Sequence, residues 1–227
     1  MNRFLCLLAL TLLVSPLPGC RSSGAAATAA PVQTPLPDVF GPLDWNTDAA
    51  RLRARFPEAH VEEGPGTEHS HQVDAEGREL TTWEALARNA RLEPFGTVEL
   101  HVMRFEAKPP AMLIIQRTDS PHEVCTAGNP PQEQIDTCVS RMDRERRALY
   151  DELEARLISR FGPGTLHPLQ SNAEPTDETP VDPDQAERIW ELPGLTLRLA
   201  IGMDPRFHLP EMVRLIASRD LSYPYPY

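Results

Sequence analysis

Apolar residues recur along this chain at two spacings, and the switches between them mark out its elements. Ala49, Leu52 and Phe56 share one face at i, i+3 and i+7, which predicts a helix over 48–56. Thr47 is placed to cap it, Asp48 suits the positive end of its dipole, and Pro57 stops it. Residues 57–79 are polar, with Gly and Pro throughout, and read as a long loop or a weak hairpin. A second short helix is predicted at 82–91, because Thr81-Thr82-Trp83-Glu84 fits a capping box and Trp83, Leu86 and Ala90 line one side. The period then becomes two. In 97–107, Val98, Leu100 and Val102 alternate with Glu99, His101, Met103 and Phe105, which predicts a strand. Lys108-Pro109-Pro110 turns it into a second strand at 111–117.

The longest helix is predicted over 133–161. Ile135, Cys138, Met142, Leu149, Leu153, Leu157 and Phe161 make its stripe, Asp143 with Arg147 and Glu152 with Arg156 form i, i+4 pairs, and Gly162-Pro163 ends it. An acidic, proline-rich stretch at 169–185 follows. Strands at 188–192, 195–202 and 211–219 come next, the second being the cleanest alternation in the chain. Helix, helix, hairpin, helix and three strands predict an α+β fold: an antiparallel sheet of about five strands with two or three helices on one face. One domain would span 39–221. No repeat at a fixed period is visible. Tyr223-Pro224-Tyr225-Pro226-Tyr227 follows the domain; its prolines favour an extended polyproline II form, and its tyrosines suit stacking on a partner or on the protein's own surface. The alternative is the disorder common at chain ends.

Ahead of the domain the pattern is different. Residues 4–14 form an apolar run broken only by Thr11 and preceded by Arg3, the pattern of a secretory signal. As a helix the run would cover about 17 Å, against a hydrocarbon core of roughly 30 Å, so it is too short to span. Residues 21–38 contain small residues, Ser, Thr and Pro without apolar periodicity. They read as a tether reaching at most about 60 Å.

Leu17-Pro18-Gly19-Cys20 resembles the lipobox of bacterial lipoproteins, with Leu three before the cysteine and a small residue one before it. Pro18 departs from the commoner small residue at its position. The resemblance implies removal of residues 1–19 and acylation of Cys20, giving a protein anchored through lipid in the cell envelope. Arg21 after the cysteine favours the outer membrane under enterobacterial sorting. Two or three acyl chains, at about 0.8 kcal/mol per buried methylene, hold a protein durably. The rival is ordinary cleavage after Ala27-Thr28-Ala29, about fifteen residues beyond the apolar run. The layout of lipidated cysteine, tether and small domain also looks like small outer-membrane assembly-factor lipoproteins, with no residue motif in the domain to carry the likeness.

Charge narrows the partners. Without residues 1–19 the chain loses Arg3 alone, so 22 basic side chains become 21 against 33 acidic, a net of −12. Such a field disfavours nucleic acid and suits a protein partner with a basic face. Cys125 and Cys138 remain after Cys6 leaves and Cys20 is acylated, and a pair in an exported chain is expected to be oxidised. Two inert thiols or half a metal site are the alternatives, though no C-x-x-C accompanies them. His69 and His71, with Glu68 and His60 nearby, are the weak metal candidates. The acids Asp177, Glu178, Asp182 and Asp184 lack the turn glycine of a calcium loop. G-x-S-x-G, S-x-x-K, P-loop and H-E-x-x-H motifs are absent, and Ser70 between two histidines does not make a triad. No catalytic residue and no cofactor is assigned. The expectation is a non-catalytic, lipid-anchored envelope protein that binds another protein or has a structural role. A hydrolase acting in the envelope and a metal or small-ligand binder are the alternatives.

Overall fold

A computed structural model of the protein describes residues 35–65, 72–73, 79–80, 82–105, 110–117, 121–169, 182–204 and 209–219. The chain divides into two units, Met1–Val32 and Gln33–Tyr227, and every described residue belongs to the second. A 3-10 turn at Asp38–Phe40 leads into α1 (Ala49–Arg55). Strand β1 (His60–Pro65), the small β2 (Gln72–Val73) and β3 (Glu79–Leu80), β4 (Thr82–Leu92), β5 (Gly96–Phe105) and β6 (Met112–Arg117) follow. After α2 (Pro121–Thr126) and α3 (Gln132–Phe161) come β7 (Thr165–Pro168), β8 (Ala186–Leu192), β9 (Leu195–Asp204) and β10 (Leu209–Ser218).

Among the described residues, eight strands form one antiparallel sheet in the order β1-β4-β5-β6-β10-β9-β8-β7, with β2 and β3 paired separately. The fold is α+β as the sequence predicts, but the sheet has eight strands rather than about five. The largest correction is at 82–91. This segment is β4, not a helix: Ala85 and Ala87 are buried on one face while Glu84 and Leu86 point to the other. A register shift between Ala87 and Ala90, with Asn89 at φ 61°, resets the phase and returns Ala90 and Leu92 to the core. Ala, Leu, Glu and Arg favour helix locally, yet pairing with β1 on one side and β5 on the other overrides that preference. The polar stretch 57–79 supplies the edge strand β1, whose exposed pattern hides it. Strand β7 is a second edge inside a short segment that no alternation marks.

At α1 the cap is Asp48, which accepts from the Arg51 amide at 2.8 Å. Thr47 is buried, and its hydroxyl accepts from the Asp44 amide instead. The long helix α3 agrees with the sequence to one residue at its start. Arg156 pairs with Glu152 as expected, whereas Asp143 pairs with Arg146, and Arg147 turns to Asp184 at 2.6 Å.

One core cluster joins Leu52 of α1 and Leu149, Leu153 and Leu157 of α3 to the inward alternation of the sheet: Val98, Leu100, Leu113, Ile115, Leu197, Leu199, Val213 and Leu215. The opposite face carries smaller clusters, Met103 with Met112 and Ile216, and Leu169 with Ala200 and Met212. The element order repeats. A helix followed by a four-strand meander occurs as α1 with β1, β4, β5 and β6, then as α3 with β7 to β10, and the halves join where β6 pairs β10. Both helices run out through Arg-Phe, at Arg55-Phe56 and Arg160-Phe161, before a proline.

Candidate functional site

Where β4 and β5 pair Trp83 with Arg104, and β1 sets Pro65 opposite Trp83, the core face of the sheet opens into a groove of about 320 Å³. The segment entering α1 forms one wall with Trp45 and Asn46. Ala49, Ala85 and Val102 make an apolar floor, and Pro110 closes the β6 side. Trp45 is buried in the core, while Trp83 is half-buried at the rim. Glu63 accepts from the Trp83 indole at 3.0 Å and pairs with Arg104 at 3.4 Å, and the Arg104 guanidinium lies 5.7 Å over the Trp83 ring. Arg219, just past β10, stacks 4.3 Å over Trp45.

The wall beside Trp45 is braced. Burial raises the Asp44 pKa, but the Asn46 amide, Arg55, Arg51 and the Thr47 hydroxyl together hold the carboxyl below its ordinary value. The Asp44 carboxylate thus links the loop to α1, and the Thr47 hydroxyl is spent on that link rather than aimed into the groove. Trp rings above an apolar floor, with Arg and Glu at the rim, can hold a flat or proline-rich apolar segment and orient it by charge.

A second arrangement lies on the face away from the helices. His101 on β5 meets Glu84 of β4 at 2.5 Å through Nδ1 and faces Glu99 at 3.8 Å through Nε2. Burial pushes the His101 pKa down, yet the hydrogen bond with Glu84 and the charges of Glu84 and Glu99 outweigh it and hold the imidazole above its ordinary value. Further across the same face, the register places Glu99, Gln116, Arg214, Ala200 and Glu187 side by side. Gln116, Arg214 and Glu187 are buried there, with Glu187 3.5 Å from Arg198.

Of the sequence candidates, Cys125 and Cys138 form a disulfide with Cα atoms 5.7 Å apart. It ties α2 to the first turns of α3, where the longest helix has no fully buried side chain before Leu149. His60 is on the edge strand β1, largely exposed and 3.1 Å from Glu62. Asp184 pairs with Arg147, and Asp182 accepts from the Asp184 amide. Cys20, Glu68, His69, Ser70, His71, Asp177, Glu178 and the Tyr-Pro segment lie outside the described residues. Among the described residues no group of three or more His, Cys, Asp or Glu is placed to hold a metal, and no helix is long and apolar enough to cross a membrane.

Sequence reasoning did not single out Trp45, Trp83, Arg104 and Glu63 as a group, because three strands and a loop must assemble before they meet. From the sequence alone Trp83 stands with Leu86 and Ala90 on one side of a helix, whereas in β4 it lies on the same face as Ala85 and Ala87. The alternation of Glu99 and His101 put those two on one face, but Glu84 could not be placed opposite them while 82–91 read as helix. The chain matches no protein-family model, no curated protein and no solved structure.

Proposed function

We propose that this chain is a lipid-anchored, non-catalytic protein of the bacterial cell envelope whose domain docks another protein through the Trp45–Trp83 groove. The groove is the observation that carries the reading. Trp and Arg are the side chains that dominate protein interfaces when they surround a partly desolvated pocket, and here both stand over an apolar floor. The anchor rests on Leu17-Pro18-Gly19-Cys20 and on the short apolar run before it. A net charge near −12 after removal of residues 1–19 supports a partner with a basic face.

The test is a photo-crosslinking side chain introduced into the full-length protein in cells at Asn46, an exposed position on the groove wall, and separately at Leu166 on the far edge strand. The expected result is a discrete protein adduct from position 46 that Arg104→Glu removes, with none from position 166. No adduct from 46, or the same adducts from both positions, overturns the reading.

A further inference from the structure

The two faces of β4 and β5 are coupled by the strand pleat, because successive residues point to opposite sides. On β4, Trp83 and Ala85 line the groove, and Glu84 between them points to the other face; on β5, Val102 and Arg104 line it while His101 and Met103 point away. The register sets Trp83 opposite Arg104 and Glu84 opposite Met103, with His101 on the diagonal from Glu84. The Glu84–His101 hydrogen bond at 2.5 Å therefore ties the strands together on one face at the rungs where Trp83 and Arg104 meet on the other.

His101 is enclosed on its face by Leu86 of β4 and Ile114 of β6, which stand opposite it, and by the cluster of Met103, Met112 and Ile216 beside it. Among the described residues, the charged groups that face it are Glu84 and Arg88 from β4 and Glu99 from its own strand, while β6 presents the uncharged Gln116. Arg88 is shared between Glu99 at 3.5 Å and Glu62 of β1 at 2.9 Å, and Glu62 also meets His60. Arg214 of β10 lies beyond Gln116. A protonated imidazole attracts the carboxylates on both of its sides. A neutral one loses the charge assistance, which is worth roughly half the strength of such a bond, and leaves Glu84 and Glu99 flanking an uncharged ring.

We propose that the Glu84–His101 pair is a pH-sensitive brace of the groove: with His101 protonated it holds β4 against β5 so that Trp83, Arg104 and Glu63 form the docking wall, and with His101 neutral the wall loosens and docking weakens. The effect on docking rests on the groove reading proposed above, whereas the bracing of Trp83 does not. His101 faces away from the groove and acts on it only through the strands, as a positioning residue. The surroundings set the direction. Burial lowers the His101 pKa, but Glu84 and Glu99 raise it by more, so the brace is complete below 6.5 and is lost as pH rises through the folded value.

The Trp83 indole N–H donates to Glu63 and so reports on the wall. In the full-length protein in detergent, its proton–nitrogen NMR resonance is assigned by its loss in Trp83→Phe and followed against pH. The expected result is a shift along a single-proton curve with its midpoint above 6.5, while the Trp190 indole, bonded to the Gly162 carbonyl, stays in place. His101→Gln should flatten the curve. Glu84→Gln should move its midpoint down, because the imidazole loses a carboxylate partner, and His60→Gln should leave it unchanged. Circular dichroism matching the wild type shows that the variants fold; where His101→Gln does not, the shift in Glu84→Gln decides. A Trp83 resonance that stays put as pH rises past 6.5, an unchanged midpoint in Glu84→Gln, or a curve that persists in folded His101→Gln overturns the proposal. On cell envelopes, the position-46 adduct should form in lower yield in buffer above the Trp83 midpoint than below it, and equal yields overturn the effect on docking. The two readings fail separately: an adduct with a Trp83 resonance indifferent to pH keeps the docking reading and removes this one, and a titrating resonance with no adduct keeps the brace and removes docking.

Discussion

At the scale of single residues, the His101 group gives the protein a pH window. The folded-state pKa of His101 lies above its ordinary 6.5, so its stabilisation is complete below 6.5 and is lost as pH rises through the folded value. Glu99 is held below its ordinary 4.5, first by its polar contact with His101, whose Nε2 lies 3.8 Å away, and against the effect of burial. Its contribution is present above 4.5 and is lost as pH falls through the folded value. Thermal unfolding followed across pH should show this pair contributing most between 4.5 and 6.5. In His101→Gln the decline on the alkaline side should disappear, and a wild-type slope in that variant would refute the assignment. Leu153 is fully buried between α3 and the sheet, so Leu153→Ala should cost about 2–5 kcal/mol in denaturant unfolding through the cavity it leaves. Leu153 is legible in the sequence from its helical stripe. The His101 group is only half legible, because alternation gives a face but not the strand beside it.

At the scale of elements, the Cys125–Cys138 disulfide braces the part of α3 that the core does not hold. Closing a loop with a sequence separation of 13 stabilises by roughly 3 kcal/mol in the chain-entropy account. Reduction should lower the unfolding midpoint accordingly and speed hydrogen exchange before Leu149 more than after it; uniform exchange along α3 would count against a local brace. The other end of α3 is fixed differently. Trp190 donates to the Gly162 carbonyl at 2.8 Å, and Arg188 bridges to Glu154 at 2.7 Å. Gly164 sits beneath them at φ 61°, where a Cβ would fall 2.8 Å from the Ile189 carbonyl oxygen. Gly164→Ala should therefore destabilise by about 1–3 kcal/mol, measured by urea unfolding, from strain in both backbone and contact. The stop signal Gly162-Pro163 was plain in the sequence, while the role of Gly164 needed β8 to be in place.

At the scale of the whole molecule, the proposed anchor and the sheet rest on different grounds, the first on a short sequence pattern and the second on long-range strand pairing. If Cys20 carries lipid, Cys20→Ser should move the protein from the membrane fraction to the soluble periplasm or leave it uncleaved; ordinary processing with unchanged partition would refute the anchor. The long helix, the cysteine pair and the period-two alternation of β5, β6, β9 and β10 are set by local spacing and covalent chemistry, so they were legible in the sequence alone. It could not determine that 82–91 is a strand. The local preference of Ala, Leu, Glu and Arg is worth only tenths of a kcal/mol per residue, and two ladders of hydrogen bonds outweigh it. Nor could it show that a polar stretch supplies the edge β1, or that two helix-and-meander halves join through β6 and β10. The groove is the product of those non-local pairings. Trp45, Trp83 and Arg104 come together only when strands distant in sequence lie side by side, and no periodicity within one segment encodes that neighbourhood.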